Sequence, residues 1–170
     1  ILAGGKGSRM LSEKAKVLQF LGGKTMLAHI LQKANLIADQ LTLVVGFDME
    51  SVKQELQTAS IEAACVEQLE QIGTADAVKS ALPRIGQTDK ILILYGDVPL
   101  IRTETMEKLF ARQQPTILTT CLDDPSGYGR VLKDENGHAV GIVEEKDADP
   151  SQLQEQEVFT GVMVVAGELL

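Results

Sequence analysis

The residues best equipped for chemistry stand at the start of the chain. Ile1-Leu2-Ala3-Gly4-Gly5-Lys6-Gly7-Ser8-Arg9-Met10, with Lys16 just beyond, sets three glycines in four positions among cations, after two apolar residues that read as a strand end. Glycine lets a backbone turn through positive φ and lets a ligand approach it closely. Successive N–H groups in such a turn form a concave anion site, to which Lys6, Arg9 and Lys16 add side-chain charge. The chemistry this fits is the holding of phosphate groups. It is not a P-loop, because Gly5-Lys6 is followed by Gly7, and not a dinucleotide fingerprint, because Met10 takes the place of the third glycine. A glycine turn alone would read as a surface turn. The cations shift the balance: Lys6, Arg9, Lys14 and Lys16 face Glu13 alone, on a chain of net charge −8.

A carboxylate is the second candidate. Asp97 ends Tyr95-Gly96-Asp97, directly after the most apolar run of the chain. Such an acid is a helix cap, a structural acceptor or a metal ligand. Facing a phosphate loop it needs a counter-charge, and Mg²⁺ meets that need because it takes carboxylate and phosphate oxygens and keeps several waters. On side-chain chemistry alone, Gln68 reads as a solvated polar residue and Glu144-Glu145-Lys146-Asp147 as a solvated charge run. His29 and His138 lie in no ligand pattern. Cys65 and Cys121 each sit in an apolar run, so buried thiols are expected and neither a disulfide framework nor a zinc site.

Positioning these groups requires an α/β frame. Apolar spacings of three and four predict a helix over 25–38, and 41–45 reads as a buried strand ending at Gly46. A short helix over 51–58, a strand over 61–66 and a helix from Thr74, its expected N-cap, to Leu82 follow, stopped by Pro83. Ile91 to Tyr95 is a continuous apolar run of the kind buried on both faces of a sheet. A helix over 104–112 and a strand over 117–122 continue the alternation, which indicates a parallel sheet with helices on both sides. From Asp123 the pattern changes. Asp134-Glu135-Asn136-Gly137 is a hairpin signal, residues 157–166 are again β-rich, and the polar stretch 147–156 reads as a loop or short helix. In an open α/β sheet ligands bind beyond the carboxyl ends of the strands, where four segments are expected to fall: the glycine loop, Gln68 to Thr74, Tyr95 to Asp97, and Tyr128-Gly129-Arg130 with Ile142 to Ala148.

Composition narrows the partners. At 170 residues, 44% hydrophobic and 24% charged, the chain is ordinary globular material of one domain. Its acidity argues against nucleic acid or an anionic membrane as partner, and no apolar run reaches the length of a membrane span.

The same residues carry a family resemblance. Leu2-Ala3-Gly4-Gly5-Lys6-Gly7-Ser8-Arg9-Met10 with Lys16-Val17-Leu18 resembles the signature of sugar-1-phosphate nucleotidyltransferases. The likeness is greatest to the branch in which a uridylyltransferase domain precedes a left-handed β-helix acetyltransferase domain. It runs over essentially the whole chain: Gln68 through Gly73-Thr74, Tyr95-Gly96-Asp97, Tyr128-Gly129-Arg130, Val143 through Ala148 and Glu157 through Gly161 are all similar to family segments. The resemblance implies a Rossmann-like three-layer fold of glycosyltransferase-A type, with a mostly parallel sheet and antiparallel strands in the second half. It implies catalytic roles for Arg9, Lys16 and Lys6, and nucleotide contacts from Leu2, Ala3, Gly4, Gly5, Gln68, Gly73, Thr74, Tyr95 and Gly96. Gly129, Glu144, Phe159 and Thr160 would line the sugar pocket, and Asp97 would hold Mg²⁺. Gln68 carries a donor and an acceptor and so can match an imide edge.

The chain departs from the family pattern at Ala15, where proline is usual, at Thr25, at Ala75-Asp76, where Gly-His is common, and most of all at Phe159, where the family has asparagine. The implied reaction is UTP with N-acetylglucosamine 1-phosphate, in the cytoplasm. Another sugar 1-phosphate, a thymidine nucleotide or a non-catalytic sugar-nucleotide sensor are the alternatives. Beginning at Ile1 without Met and stopping at Leu170, the chain reads as a nucleotidyltransferase domain over 1–170, incomplete at both ends. Homotrimeric assembly is expected through a C-terminal domain beyond it.

Overall fold

The computed structural model describes residues 1–7, 12, 14–70 and 73–170. A small hairpin comes first: β1 (Phe20–Leu21) pairs antiparallel with β2 (Lys24–Thr25) around Gly22-Gly23. Then α1 (Met26–Ala34), β3 (Thr42–Val45), α2 (Met49–Ala59), β4 (Ala64–Glu67) and α3 (Thr74–Ala81) alternate as expected, followed by β5 (Lys90–Ile93), α4 (Thr103–Phe110) and β6 (Thr116–Cys121). The hairpin signal at 134–137 joins β7 (Arg130–Lys133) to β8 (Ala139–Val143), and β9 (Glu157–Ala166) closes the sheet. Between β8 and β9 the polar stretch makes two single 3-10 turns.

Thr25 shows why α1 begins where it does. Its hydroxyl accepts the Ala28 N–H at 3.0 Å, an N-cap bond, and donates to Glu55 of α2 at 2.8 Å, so one buried side chain starts the helix and ties it to its neighbour. Helix α3 starts differently from expectation. Its N-cap is Gly73, which leaves the Thr74 hydroxyl free for another partner. The helix expected over 25–38 ends at Ala34 and continues to Ala38 only through turn bonds.

The parallel part of the sheet is the first half. β3 pairs with β4 in parallel, and Leu2 bridges Val44 on one side and Tyr95 on the other, both in parallel. Residues 1–3 are therefore a strand wedged between β3 and the end of the β5 run. The second half is antiparallel: β5, β6 and β7 all pair with β9, and β8 pairs with β7. This is the three-layer α/β arrangement expected from the sequence.

Alternation along the strands divides the core. Ile1, Ala3, Leu43 and Val45 turn to one face, packing with Leu27, Ile30, Leu31, Val52, Leu56, Met106 and Leu109 of α1, α2 and α4. Leu2 and Val44 turn to the other, packing with Ala77 and Ala81 of α3. Each fully buried Leu or Ile contributes about 1.5–3 kcal/mol. Cys65 is only half-buried and Cys121 is exposed, so the expectation of buried thiols fails at Cys121. It lies at the end of β6, where the apolar run has already left the core.

Glu157 anchors the start of β9. It accepts from Thr119 of β6 at 2.6 Å and pairs with Lys133 of β7, joining three strands. The Lys133 ammonium and then the Thr119 hydroxyl hold the Glu157 carboxyl below its usual value, while Glu157 holds Lys133 above its own. A depressed carboxylate stabilises the fold above its unfolded pKa and ceases to do so as pH falls through the folded one. Glu157→Gln is expected to lower the urea midpoint at pH 7. The gap to wild type should close as pH is stepped below about 4, where the unfolded carboxylate protonates. A gap that persisted at low pH would show that packing, not ionisation, holds this corner.

Candidate functional site

Three loops leave the carboxyl ends of neighbouring parallel strands on one side of the sheet. The glycine loop follows residues 1–3, Gln68 follows β4, and Gly96-Asp97 follows the β5 run. They enclose a cleft of about 550 Å³ lined by Ala3, Gly4, Gly5, Gly7, Lys16, Gln68, Gly73, Thr74, Tyr95 and Asp97. Most of the residues expected to bind nucleotide are thus brought together. Backbone bonds set the register: Leu2 N donates to Leu94 O at 2.8 Å, Gly96 N to Leu2 O at 2.9 Å and Ala3 N to Val44 O at 2.8 Å.

Lys16 is placed by glycine. Gly7 has φ +67°, and a Cβ there would lie 2.6 Å from the Lys16 Cβ. Only glycine both adopts that turn and leaves room for the lysine stem. The Lys16 ammonium bonds the Asp97 carboxylate at 2.6 Å, so cation and acid face each other across the cleft. Both remain partly exposed, which keeps them accessible to a ligand. Asp97 is the described acid best placed to hold a divalent cation. Among the described residues no group of three His, Cys, Asp or Glu side chains could do so. A cation here would take most of its ligands from phosphate and water, which suits a hard ion with oxygen ligands.

Gln68 is not solvated, contrary to the reading of its chemistry alone. It is 6% exposed. Its backbone N–H extends the strand to Val45 O at 2.8 Å, and its side-chain Nε2 donates to Asp76 Oδ2 at 3.0 Å and to Gly73 O at 3.2 Å. The free Thr74 hydroxyl is 3.2 Å from the Tyr95 hydroxyl. The signal for Asp76 was present as the departure at Ala75-Asp76; its contact with Gln68 was not foreseen.

Other expected residues lie elsewhere. Lys6 is exposed and outside the cleft lining, with its ammonium 5.2 Å from the Phe47 ring centroid, a cation–π contact that nothing in the sequence pointed to. Gly96 is buried rather than open to the cleft, and a Cβ there would meet Val17 at 2.9 Å. Arg9 lies outside the described residues. Gly129, Glu144, Phe159 and Thr160 do not line the cleft: Gly129, Glu144 and the Phe159 backbone form a cluster of their own, while Thr160 bonds the backbone of β6. Phe159 N donates to Gly129 O at 3.0 Å, a Cβ on Gly129 would come 3.6 Å from the Glu144 carboxylate, and Thr160 donates to Leu118 O at 2.7 Å. Phe159 is half-buried and packs against neither core cluster.

The cleft and this cluster are joined by Tyr95. Gly161 has φ +86°, and a Cβ there would fall 2.5 Å from the Tyr95 ring. The ring therefore lies flush against the β9 backbone while its hydroxyl reaches Thr74.

A Gly-rich loop with a fixed lysine, opposite a carboxylate and at the carboxyl edge of a three-layer α/β sheet, defines the nucleoside triphosphate transferase class. Residues 1–145 match the MobA-like NTP transferase domain family, and the chain belongs to it. It is 46% identical over 169 residues to the bifunctional protein GlmU of Saccharophagus degradans and likewise to that of Cellvibrio japonicus, in each case over 97% of this chain and 37% of the relative. With the bifunctional protein GlmU of Ruthia magnifica it shares 44% over 173 residues, 100% of this chain and 38% of the relative. The chain thus spans well under half the length of the curated relatives it matches. In fold it resembles the crystal structure of apo UDP-glucose pyrophosphorylase, with TM-score 0.78 and 13% identity over 99% of this chain and 76% of that one. It also resembles CMP:2-keto-3-deoxy-manno-octonic acid synthetase complexed with CTP, with TM-score 0.70 and 17% identity over 99% of this chain and 72% of that one. No helix among the described residues is long and apolar enough to cross a membrane.

Gly161→Ala is expected to lose about 1–3 kcal/mol of stability, read in urea titration, from backbone strain at positive φ. The displaced Tyr95 should at the same time weaken nucleoside triphosphate binding. An unchanged midpoint would show that the ring does not depend on this glycine.

Proposed function

We propose that this domain transfers a uridylyl group from UTP to N-acetylglucosamine 1-phosphate, giving UDP-N-acetylglucosamine and pyrophosphate. The observation that carries the reading is the convergence of Gly4, Gly5, Lys16, Gln68, Gly73-Thr74 and Asp97 on one cleft. Support comes also from the sequence likeness to sugar-1-phosphate nucleotidyltransferases and from the relatives named bifunctional protein GlmU.

A sugar-phosphate oxygen attacks the α-phosphorus in line. The new P–O bond forms as the α–β anhydride bond breaks, and its electron pair leaves with pyrophosphate. No general base is needed, because a phosphate monoester with second pKa near ~6 is already largely ionised at neutral pH. The chain's task is positioning and charge stabilisation. Lys16 neutralises the phosphate at the reacting centre, while Arg9 and Lys6 hold the departing pyrophosphate. Lys6 leaves Phe47 to do so: an exposed cation–π contact is worth about 0.5–1 kcal/mol, less than the about 1.5–3 kcal/mol of a hydrogen bond to a charged group. Mg²⁺ on Asp97 would supply the charge that lets carboxylate and phosphate share the cleft. Leu2, Ala3, Gly4, Gly5, Gln68, Gly73, Thr74 and Tyr95 hold the nucleotide, with Gly96 behind them as a spacer. Gly129, Glu144 and Thr160 serve the sugar. A cytoplasmic site suits a UTP-dependent reaction, and homotrimeric assembly of the whole protein is open to light scattering.

Two mutations test the charge assignments. Arg9→Ala in the full-length protein should cut kcat/KM by orders of magnitude with little change in Tm, since one oriented donor at developing phosphate charge is worth ~3–4 kcal/mol. Asp97→Asn should weaken Mg²⁺-dependent turnover and leave the fold intact. Turnover indifferent to divalent metal, or a silent Asp97→Asn, removes the metal from the reading.

A second reading, another sugar 1-phosphate, is favoured by Phe159. Phe159 is half-buried off both cores, its backbone N–H is bonded to Gly129 O, and its ring offers a hydroxyl neither donor nor acceptor. Phe159→Asn is expected to raise kcat/KM for N-acetylglucosamine 1-phosphate. Kinetics on a panel of sugar 1-phosphates decides: if wild type already prefers that sugar and the variant is no better, Phe159 does not set specificity.

A further inference from the structure

We propose that Asp76 is a positioning residue that makes Gln68 an acceptor-only reader of the nucleotide base, so that the cleft favours a base with a protonated ring N3. The inference rests on the assignment of uracil to this site and goes further, to what fixes the choice.

A glutamine amide is ambiguous by itself, since rotation by half a turn exchanges its oxygen and nitrogen. Here the ambiguity is removed. Both hydrogens of Gln68 Nε2 are used within the protein, one by Asp76 Oδ2 at 3.0 Å and one by Gly73 O at 3.2 Å. Both partners are acceptors only. Turning the amide would press its oxygen against a carboxylate and a carbonyl, in a side chain 6% exposed where water cannot relieve the repulsion. Carbonyl Oε1 is therefore directed the other way. It lies 2.7 Å from where a Cβ on Gly4 would stand, and Gly4 and Gln68 both line the cleft. Glycine at position 4 leaves the room beside that oxygen that a side chain would fill.

The group shown to the base is thus a single acceptor with its polarity fixed. The N3–H of uracil satisfies it. Cytosine held in the same pose places an unprotonated N3 against Oε1, which sets two acceptors against each other, and its N4 amino group could meet that oxygen only in a shifted pose. Of the Gln68 partners, Gly73 O is backbone and cannot be chosen by side-chain identity, so the carboxylate of Asp76 is the element that fixes the amide. Asp76 also occupies the first turn of α3, where a negative charge favours the helix. A role confined to that would change stability without changing which base is chosen.

The test is equilibrium titration of UTP and CTP, each with Mg²⁺, onto full-length wild type, Asp76→Ala, Asp76→Ser and Asp76→Asn, with Tm recorded for each. Wild type is expected to prefer UTP. Asp76→Ala and Asp76→Ser, with the amide released, should lose about tenfold of that preference, mainly through weaker UTP binding. Asp76→Asn, whose Oδ1 still accepts from Nε2, should retain it. Asp76→Ser keeps a polar first turn and so guards against a failure of Asp76→Ala to fold. An unchanged preference in the folded Ala or Ser variant overturns the proposal, as does a fall in Tm with both nucleotides weakened equally. A wild type that does not favour UTP over CTP overturns the uracil assignment itself, a different result read on a different protein.

Discussion

The site depends on one short strand being hydrogen-bonded on both sides. Ile1 to Ala3 lies between β3 and the end of the β5 run, with Leu2 bridging Val44 and Tyr95 in parallel. In a parallel arrangement the carboxyl ends of neighbouring strands fall at the same edge of the sheet, which is where open α/β sheets bind ligands. The loops that carry Gly4 to Gly7, Gln68 and Asp97 therefore meet because the backbone ladder places them there. Side-chain alternation reinforces the register. A slip of this strand by one residue would turn Leu2 from the α3 face to the larger core and Ile1 and Ala3 to the α3 face in exchange.

That geometry brings unlike charges together in a partly open cleft. Lys16 and Asp97 lie 2.6 Å apart and are each about a third exposed. An ion pair so open to solvent contributes little to folding, typically ~0–1 kcal/mol. Its small worth is compatible with function: neither partner is committed so strongly that a phosphate or a cation could not replace the other. Gly7 belongs to the same economy of space, because the turn it permits holds the lysine stem in place without any side-chain bond.

How far the sequence could be read followed from which forces were local. Strands and helices of the first half were visible because burial on two faces imposes continuous or periodic apolar runs, and the hairpin at 134–137 because its turn has its own chemistry. The Gly22-Gly23 hairpin was missed because its strands are two residues long and Phe20 and Leu21 are exposed, so no burial pattern marks them. In the cleft, the convergence of the glycine loop and Asp97 was legible from charge and spacing. Gln68 is the exception: its buried amide bonds Asp76, eight residues on, and a hydrogen bond between two polar side chains leaves no periodic trace. Lys6 over Phe47 was hidden for the same reason, since contacts between loops are set by the fold and not by neighbours in the chain.

The position of Tyr95 gives the second half of the chain its part in the site. β9 runs antiparallel against β5 and reaches the cleft edge at Gly161, where the left-handed turn accepts the tyrosine ring against bare backbone. Two residues earlier on the same strand stands Phe159, whose N–H bonds Gly129 O. Through the Tyr95 hydroxyl the same ring touches Thr74 at the start of α3, one residue from the Gly73 carbonyl that holds Gln68. From β9 to Gln68 the path is thus three contacts long: Gly161 with the Tyr95 ring, Tyr95 with Thr74, and Gly73 with Gln68. Close packing along it leaves each of these groups little room to move by itself. The antiparallel half of the sheet is in this sense not an appendage to the parallel half, but the wall against which Tyr95, and with it one side of the cleft, is set.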